Sequence, residues 1–356
     1  MFQRTALQPE AVRRLLVRSA NWIGDAVMST PAVNAIRQAF SNAEITMLAK
    51  PLVVPVFENS PHVDQMVVYD DAGRHSDLAG KFRLAGDLRQ AGYDAALLLQ
   101  NAFEAAFITT IARIPVRIGY TTDGRRLLLT HPVKNPKFYK QGHHADYYLG
   151  ILRGLGIDAV NNGLELVIGD ANRQKAQAVL SEHGLADRPL LGLSPGATFG
   201  PAKQWHPERY AAVADQLCKE GDWRVVLLGG PGDRAISEAI AGHMAAPAVN
   251  LCGRTGVGEA MALIETCGLF ITNDSGLMHV AAALDVPLVA VFGSTDPVAT
   301  GPLGKNSRIV RTEVVCSPCL KSQCPEGHFR CMAEVSVDMV VGAAREVMSG
   351  KRQATH

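Results

Sequence analysis

The sequence predicts an α/β protein made of two doubly wound domains, and three observations carry that prediction. Short apolar runs without polar alternation recur along the chain, the mark of parallel strands covered on both faces. Helical stretches separate them, as a parallel sheet requires of its crossovers. The alternation then restarts after a turn-rich connector, GLADRP at residues 184–189, and 356 residues are more than one comfortable core holds.

In the first half, a polar N-terminal tail leads to a strand at Arg14–Arg18 (RLLVR) and a turn at residues 19–25. A helix is expected over about 26–40; because Pro31 falls in its first turns, Ser29-Thr30-Pro31 is a cap followed by a first-turn proline. Strand-like runs follow at 45–49, 65–69 and 95–100, with helices at 78–91 and 102–113. Residues 111–153 hold eight basic residues (Arg113, Arg117, Arg125, Arg126, Lys134, Lys137, Lys140, Arg153) against Asp123 and Asp146, with His131, His143 and His144 nearby. Such a stretch is either a solvated loop region or a basic surface for an anionic partner. A short apolar run at 164–168 and a helix at 171–183 close this half.

The second half opens with a strand at 190–193 that runs into SPGATFGPAK (194–203). A helix at 206–220 and a strand at 224–228 precede Gly229-Gly230-Pro231-Gly232-Asp233. Helices at 235–244 and 258–267 frame a strand at 249–252. Residues 270–293 (FITNDSGLMHVAAALDVPLVAVFG) then give a buried strand, the polar turn Asn273-Asp274-Ser275-Gly276, a helix and a second buried strand. A strand end feeding a helix through Asp-Ser-Gly offers backbone N–H groups to an anion, such as the phosphates of a nucleotide. The same residues also serve as an ordinary N-cap, so the motif alone leaves both readings open.

Hydrophobic residues make up 47% and charged residues 19%, the balance of a globular protein, and a net charge of +1 supplies no global field for nucleic acid. No apolar run is long enough for a signal peptide or a bilayer span, so a cytoplasmic protein with reduced thiols is expected from its seven cysteines.

Several patterns bear on chemistry. Gly230-Pro231-Gly232-Asp233-Arg234-Ala235 fits a loose dinucleotide fingerprint, but residues 250–253 carry no acid for a ribose, which disfavours NAD. Asp233 is a better candidate as a ribose ligand in a nucleotide-facing loop. No GxxxxGK[ST] and no DxD occur, so no metal is expected at a diphosphate. Lys203 is then the candidate phosphate partner, helped by backbone N–H groups around Thr198 and at Ser275-Gly276. Asp25, in Trp22-Ile23-Gly24-Asp25, is either a helix cap or a general base. Cys316, Cys319, Cys324 and Cys331, with His328, suit zinc in type but not in spacing, and read first as reduced thiols in a surface excursion.

Three of these stretches together resemble a known family. WIGDAVMSTPAVNAIR (22–37), SPGATFGPAKQWHPERYAAVA (194–214) and TNDSGLMHVAAALDVPLVAVFGSTDP (272–297) are similar to motifs of the ADP-heptose:lipopolysaccharide heptosyltransferases, glycosyltransferase family 9. The match is nearest the heptosyltransferase II branch and covers most of the chain in the family's order. The resemblance implies a GT-B fold: two facing Rossmann-like domains with a cleft between them, an acceptor-binding domain at 1–184 and a nucleotide-sugar domain at 185–335. A C-terminal helix at 336–356 is expected to return to the first domain. It also implies inverting transfer of L-glycero-D-manno-heptose from ADP-heptose to the first heptose of the inner core, on a heptosylated Kdo-lipid A acceptor. Asp25 matches the family's catalytic aspartate and Lys203 its phosphate-binding lysine. Thr198, Asp274, Ser275, Gly276 and His279 match the nucleotide loops, and Asp233 the ribose-binding acid. No cofactor, metal or nucleic acid is expected, only the donor, the acceptor and peripheral contact with the inner face of an anionic inner membrane. A heptosyltransferase I, another core transferase or a GT-B epimerase would share much of this pattern.

Overall fold

The computed structural model describes residues 7–135 and 142–350. The chain divides between Val167 and Ile168 into two compact units. Both are α/β, as the apolar runs predict, and the two sheets share one topology.

In the first unit, β1 (Arg14–Arg18), β2 (Glu44–Ala49), β3 (Gln65–Val68), β4 (Ala95–Leu98), β5 (Val116–Tyr120) and β6 (His131–Val133) form a six-stranded sheet. Its order is β3-β2-β1-β4-β5-β6, and every pair is parallel. Leu15, Leu16 and Val17 of β1 are fully buried, so the central strand is covered on both faces. The helices are α1 (Ile23–Met28), α2 (Thr30–Ala39), α3 (Val54–Phe57), α4 (Leu78–Ala91), α5 (Phe103–Ile111) and α6 (His144–Arg153).

The single helix expected over 26–40 is two helices broken at Ser29. Pro31 lacks an N–H, and its ring would crowd the carbonyl of Val27 in a continuous helix. The chain restarts at Thr30 with Pro31 in the first turn, and Asp25 falls in the first turn of α1.

The basic stretch at 111–153 is largely structured. It holds β5, β6 and most of α6, and Pro132 is tolerated because β6 is an edge strand. Arg125 is fully buried: its guanidinium donates to the carbonyls of Gln100 and of Tyr120 (2.9 Å), and burial lowers its pKa to about 10. Arg117 donates to the carbonyls of Leu128 (2.6 Å) and Ile114 (2.5 Å). Arg113, Arg126, Lys134 and Arg153 are exposed; Lys137 and Lys140 lie outside the described residues.

In the second unit, β7 (Leu190–Ser194), β8 (Arg224–Leu227), β9 (Ala248–Asn250), β10 (Cys267–Asn273), β11 (Leu288–Val291) and β12 (Ser307–Val310) pair in the order β12-β11-β10-β7-β8-β9, again all parallel. Its helices are α7 (Asp170–Glu182), α8 (Pro207–Glu220), α9 (Arg234–His243), α10 (Val257–Glu265), α11 (Gly276–Ala283), α12 (Pro297–Thr300), α13 (Arg330–Ala333) and α14 (Val337–Met348).

The division between the units precedes the expected connector at 184–189 because α7 belongs to the second unit. It packs on α10, and Arg173 forks onto Glu265 at 2.8 and 2.9 Å. The C-terminal helix also packs in this unit, on α8, β11 and β12, with Val340, Val341, Ala344 and Val347 in the core around Leu217 and Val291.

Candidate functional sites

In both sheets the strand order reverses between the first strand and the fourth, β1 beside β4 and β7 beside β10. Connections leave these neighbours toward opposite faces, so a crevice opens at their carboxyl ends, where open α/β sheets bind ligands. The candidate residues of each unit collect at its own crevice.

In the second unit the crevice is built on Asn273, fully buried at the end of β10. Its amide oxygen accepts from the Trp205 N–H (3.2 Å) and the Tyr210 hydroxyl (2.9 Å), and its NH2 donates to the Pro195 carbonyl (2.6 Å). One side chain thereby ties the β10 end to the loop after β7 and to the entry of α8. Asp274 follows, 5% exposed, and its Oδ2 accepts from Lys203 Nζ at 2.7 Å and from the Thr300 hydroxyl at 3.2 Å. The lysine comes from a short 3-10 turn, Pro201–Lys203, and lies 4.9 Å from the Phe199 ring centroid. Two residues predicted separately for the phosphate site are therefore an ion pair.

Ser275 caps α11, accepting the Met278 N–H at 3.3 Å, and its hydroxyl is 3.0 Å from that of Thr272. Gly276 opens the helix, whose first-turn N–H groups carry its positive end. Ser275 is thus a cap, and Asp274 beside it holds the lysine. His279 is buried in α11, while Thr198 is exposed in the loop between β7 and the 3-10 turn.

Asp233 reaches the same loop from the β8 end. Its carboxylate accepts the Gly230 N–H at 2.8 Å, and a Cβ at Gly196 would overlap it, so glycine there lets the loop approach. Burial raises the Asp233 pKa, against the lowering effect of the Gly230 N–H.

The cysteine excursion braces this crevice. The Ser322 carbonyl accepts the Ala202 N–H (3.0 Å), and the Ser317 hydroxyl donates to the Gly293 carbonyl (2.7 Å). The Cys324 thiol accepts the Phe329 N–H at 3.4 Å, which lowers its pKa, whereas burial raises that of Cys331. Among the described residues, no three His, Cys, Asp or Glu side chains converge as a metal site.

In the first unit, Asp25 lines a pocket of about 260 Å³ with Asn21, Gln100, Asn101, His144 and Tyr148. The Tyr148 hydroxyl donates to Asp25 Oδ1 at 3.1 Å, and Asn101 Nδ2 donates to the Tyr147 hydroxyl at 2.9 Å. Arg125 holds the β4 end from below through the Gln100 carbonyl. His143 caps α6, its ring accepting the Ala145 N–H at 3.1 Å. Sequence reasoning missed Tyr148 and Asn101. Tyr148 reaches Asp25 from α6 and Asn101 joins the pocket from the β4 end, and no local pattern marks such a grouping.

A family model described as "Glycosyltransferase family 9 (heptosyltransferase)" matches residues 81–330, and the chain belongs to that family. It is 31% identical to lipopolysaccharide heptosyltransferase 2 of Salmonella typhimurium, over 94% of this chain and 99% of that protein. Among solved structures, a family 9 glycosyl transferase from Veillonella parvula superposes with a TM-score of 0.87 at 28% identity, covering 98% of this chain and 99% of its own. The E. coli ADP-heptose lps heptosyltransferase II gives 0.80 at 28% identity, covering 94% and 98%. The two-domain α/β architecture is thus that of solved heptosyltransferases.

The Lys203–Asp274 pair makes a stability prediction. Lys203→Met leaves a buried carboxylate uncompensated and should cost about 3–5 kcal/mol in denaturant unfolding, whereas Lys203→Met/Asp274→Leu should recover most of that loss. Equal losses in the single and double variants would show that the pair is not coupled.

Proposed function

We propose that this chain transfers L-glycero-D-manno-heptose, with inversion, from ADP-heptose to the first heptose of the lipopolysaccharide inner core on Kdo-lipid A. One observation carries the assignment of roles: each sheet sets its distinctive charged side chain at its own point of strand-order reversal, Asp25 after β1 and Lys203 after β7. The first unit then takes the acceptor and the second the nucleotide sugar.

In this reading Asp25 accepts the proton of the acceptor hydroxyl, with Tyr148 orienting its carboxylate. The acceptor oxygen forms a bond to the anomeric carbon as the bond to the diphosphate oxygen breaks, and attack from the opposite face gives inversion. ADP leaves with the bonding electrons. Lys203, the α11 N-terminus and the N–H groups around Thr198 stabilise its growing charge without a metal or other cofactor. Asp233 binds the ribose, and His279 adjoins the phosphates or the sugar. The work is done in the cytoplasm, at the inner face of the inner membrane. No helix of the described residues is long and apolar enough to cross a bilayer, and Arg113, Arg126 and Lys134 are exposed charges of this stretch that suit peripheral contact.

ADP release from ADP-heptose with acceptors bearing no heptose or one tests the reading directly: turnover is expected only with the heptosylated acceptor. Asp25→Ala should lower kcat about a hundred- to ten-thousandfold while ADP-heptose binding survives, and a near-normal kcat would remove Asp25 from the base role. Lys203→Ala should weaken ADP binding and slow turnover together; unchanged ADP affinity by calorimetry would contradict its phosphate role. Binding to anionic vesicles should be lost as salt rises from about 0.1 M to about 1 M, because the Debye length shrinks from about 10 Å to about 3 Å. Salt-insensitive binding would refute the electrostatic account.

A further inference from the structure

The first unit carries an apolar surface that the transfer chemistry leaves unused, and it centres on α5. The nine residues of that helix, FEAAFITTI, hold one charged side chain, Glu104. Its carboxylate is engaged, accepting the Tyr69 hydroxyl at 2.6 Å and pairing with Lys81 at 2.5 Å. The Thr109 and Thr110 hydroxyls donate back to the Ala106 carbonyl at 3.0 and 2.7 Å. A surface helix ordinarily turns a polar stripe outward. Here the solvent side holds Phe103, 45% exposed, and the half-buried Phe107 one turn on.

The apolar face continues onto the segments beside α5. Phe82 of α4 is 52% exposed and meets the Phe107 ring edge-on, with centroids 6.4 Å apart, while Phe103 stacks on Phe107 at 6.2 Å. Leu78, also exposed, lies one turn before Phe82 on the same face of α4. Residues 123–128 run along α5: Asp123 accepts the Phe103 N–H at 2.6 Å, and the Leu128 carbonyl accepts the Thr110 hydroxyl at 3.4 Å. Between these two anchors Leu127 is 94% exposed. The charges next to these side chains are of one sign. Arg83 beside Phe82, Arg113 after α5 and Arg126 beside Leu127 are exposed, and none makes an ion pair among the described residues. The neighbouring acids are taken: Glu104 by Lys81, Asp87 by Arg74 at 3.1 Å, and Asp123 by the Phe103 N–H. Helix α5 also starts directly after Asn101 and Ala102, which line the Asp25 pocket.

We propose that this α4–α5 face docks on an anionic bilayer, with Phe82, Phe103 and Leu127 entering the boundary of the acyl chains and Arg83, Arg113 and Arg126 meeting lipid phosphates. Phenylalanine and leucine flanked by arginine is the composition of an interfacial surface. A second copy of this chain fits less well, because a two-fold interface would bring the same unpaired arginines to both of its sides. The inference deepens the proposed peripheral contact and rests on the reading of a lipid-linked acceptor: a bilayer held here lies beside the pocket assigned to that acceptor's sugar. It adds an apolar anchor to the electrostatic one. Stable anchoring takes two such signals, so loss of either releases the protein, and binding stays sensitive to salt.

Vesicles of phosphatidylglycerol and phosphatidylethanolamine at about 0.1 M salt are the probe. Phe82→Ser/Phe103→Ser should weaken binding about ten- to a hundredfold. Leu127→Glu, at the most exposed of these positions, should act alike and guards against misfolding of the double variant. In Leu127→Trp, emission should shift to the blue on binding, and lipids brominated on their acyl chains should quench it beyond the quenching of the wild-type tryptophans. Transfer to a heptosylated oligosaccharide freed of acyl chains should stay within about twofold in Phe82→Ser/Phe103→Ser, with ADP affinity unchanged. Unaltered vesicle binding in both variants, or no added acyl-chain quenching at position 127, would overturn the docking face. A wild-type dimer in sedimentation that Phe82→Ser/Phe103→Ser dissociates would overturn it too, assigning the face to a second copy. Absence of transfer to any heptosylated acceptor, with vesicle binding still dependent on Phe82 and Phe103, would refute the heptosyl-transfer reading and leave the docking face standing.

Discussion

The reversal of strand order in each sheet is the constraint from which both sites follow. It opens a crevice, and it also exposes a problem of polar satisfaction. Strand ends beneath a crevice present carbonyls and N–H groups that no sheet neighbour reaches, and an unpaired buried group costs about 1–3 kcal/mol. Each unit answers with buried polar side chains rather than apolar filling. In the first unit Arg18 donates to the Ser19 carbonyl (2.8 Å) and Arg125 to those of Gln100 and Tyr120. In the second, Asn273 joins Pro195, Trp205 and Tyr210. These hubs fix the loops that carry Asn21, Asn101, Asp274 and Lys203. The rigidity a site needs and the satisfaction a core needs are supplied by the same bonds.

The Lys203–Asp274 pair shows how a nearly buried ammonium is kept in the fold. An isolated ammonium at 13% side-chain exposure would be costly, and a carboxylate 2.7 Å away offsets that cost. A bound diphosphate would bring charge of the same sign as Asp274, and Lys203 would then be shared between them. The Thr300 hydroxyl, already on the same Asp274 oxygen, keeps that carboxylate solvated by the protein while the lysine turns to the ligand. Asp274 is therefore better described as the holder of Lys203 than as a reactant.

The fold was legible because buried parallel strands leave a local signature. β1 matches its expected bounds, and most of the other anticipated strands and helices differ only at their ends, the helix over 26–40, broken at Ser29, being the exception. What escaped was non-local. β5, β6 and β12 are edge or near-edge strands with polar residues among the apolar ones, Arg117, His131 and Arg308, so their period is blurred. Arg125 looked like surface charge because sequence cannot show that the ends of β4 and β5 converge on it. At the sites, Asp25, Lys203, Asp274 and Ser275 could be named because each stands next to a glycine or proline punctuation that marks a strand end. Tyr148 and Asn101 have no such marker. They join the crevices through packing across distances in sequence that only the sheet order determines.

The cysteine excursion illustrates that dependence from the other end of the chain. Gly200 takes a φ of 143°, a conformation that L side chains rarely adopt, and a Cβ there would overlap the Ser322 carbonyl. That carbonyl is the acceptor for Ala202, next to Lys203. The excursion is itself anchored on the β11 end, by Ser317 on Gly293 and by the Leu320 N–H on the Ser294 carbonyl at 2.8 Å. A Cβ at Gly293 would in turn overlap Met332, which is 1% exposed in the core. Lys203 is thus set by two independent supports: its own ion pair with the β10 end, and a loop more than a hundred residues later that is pinned to the next strand. Glycines at 200 and 293 are what allow the two backbones to meet. The position of Lys203 is a property of the whole second sheet rather than of the loop that bears it.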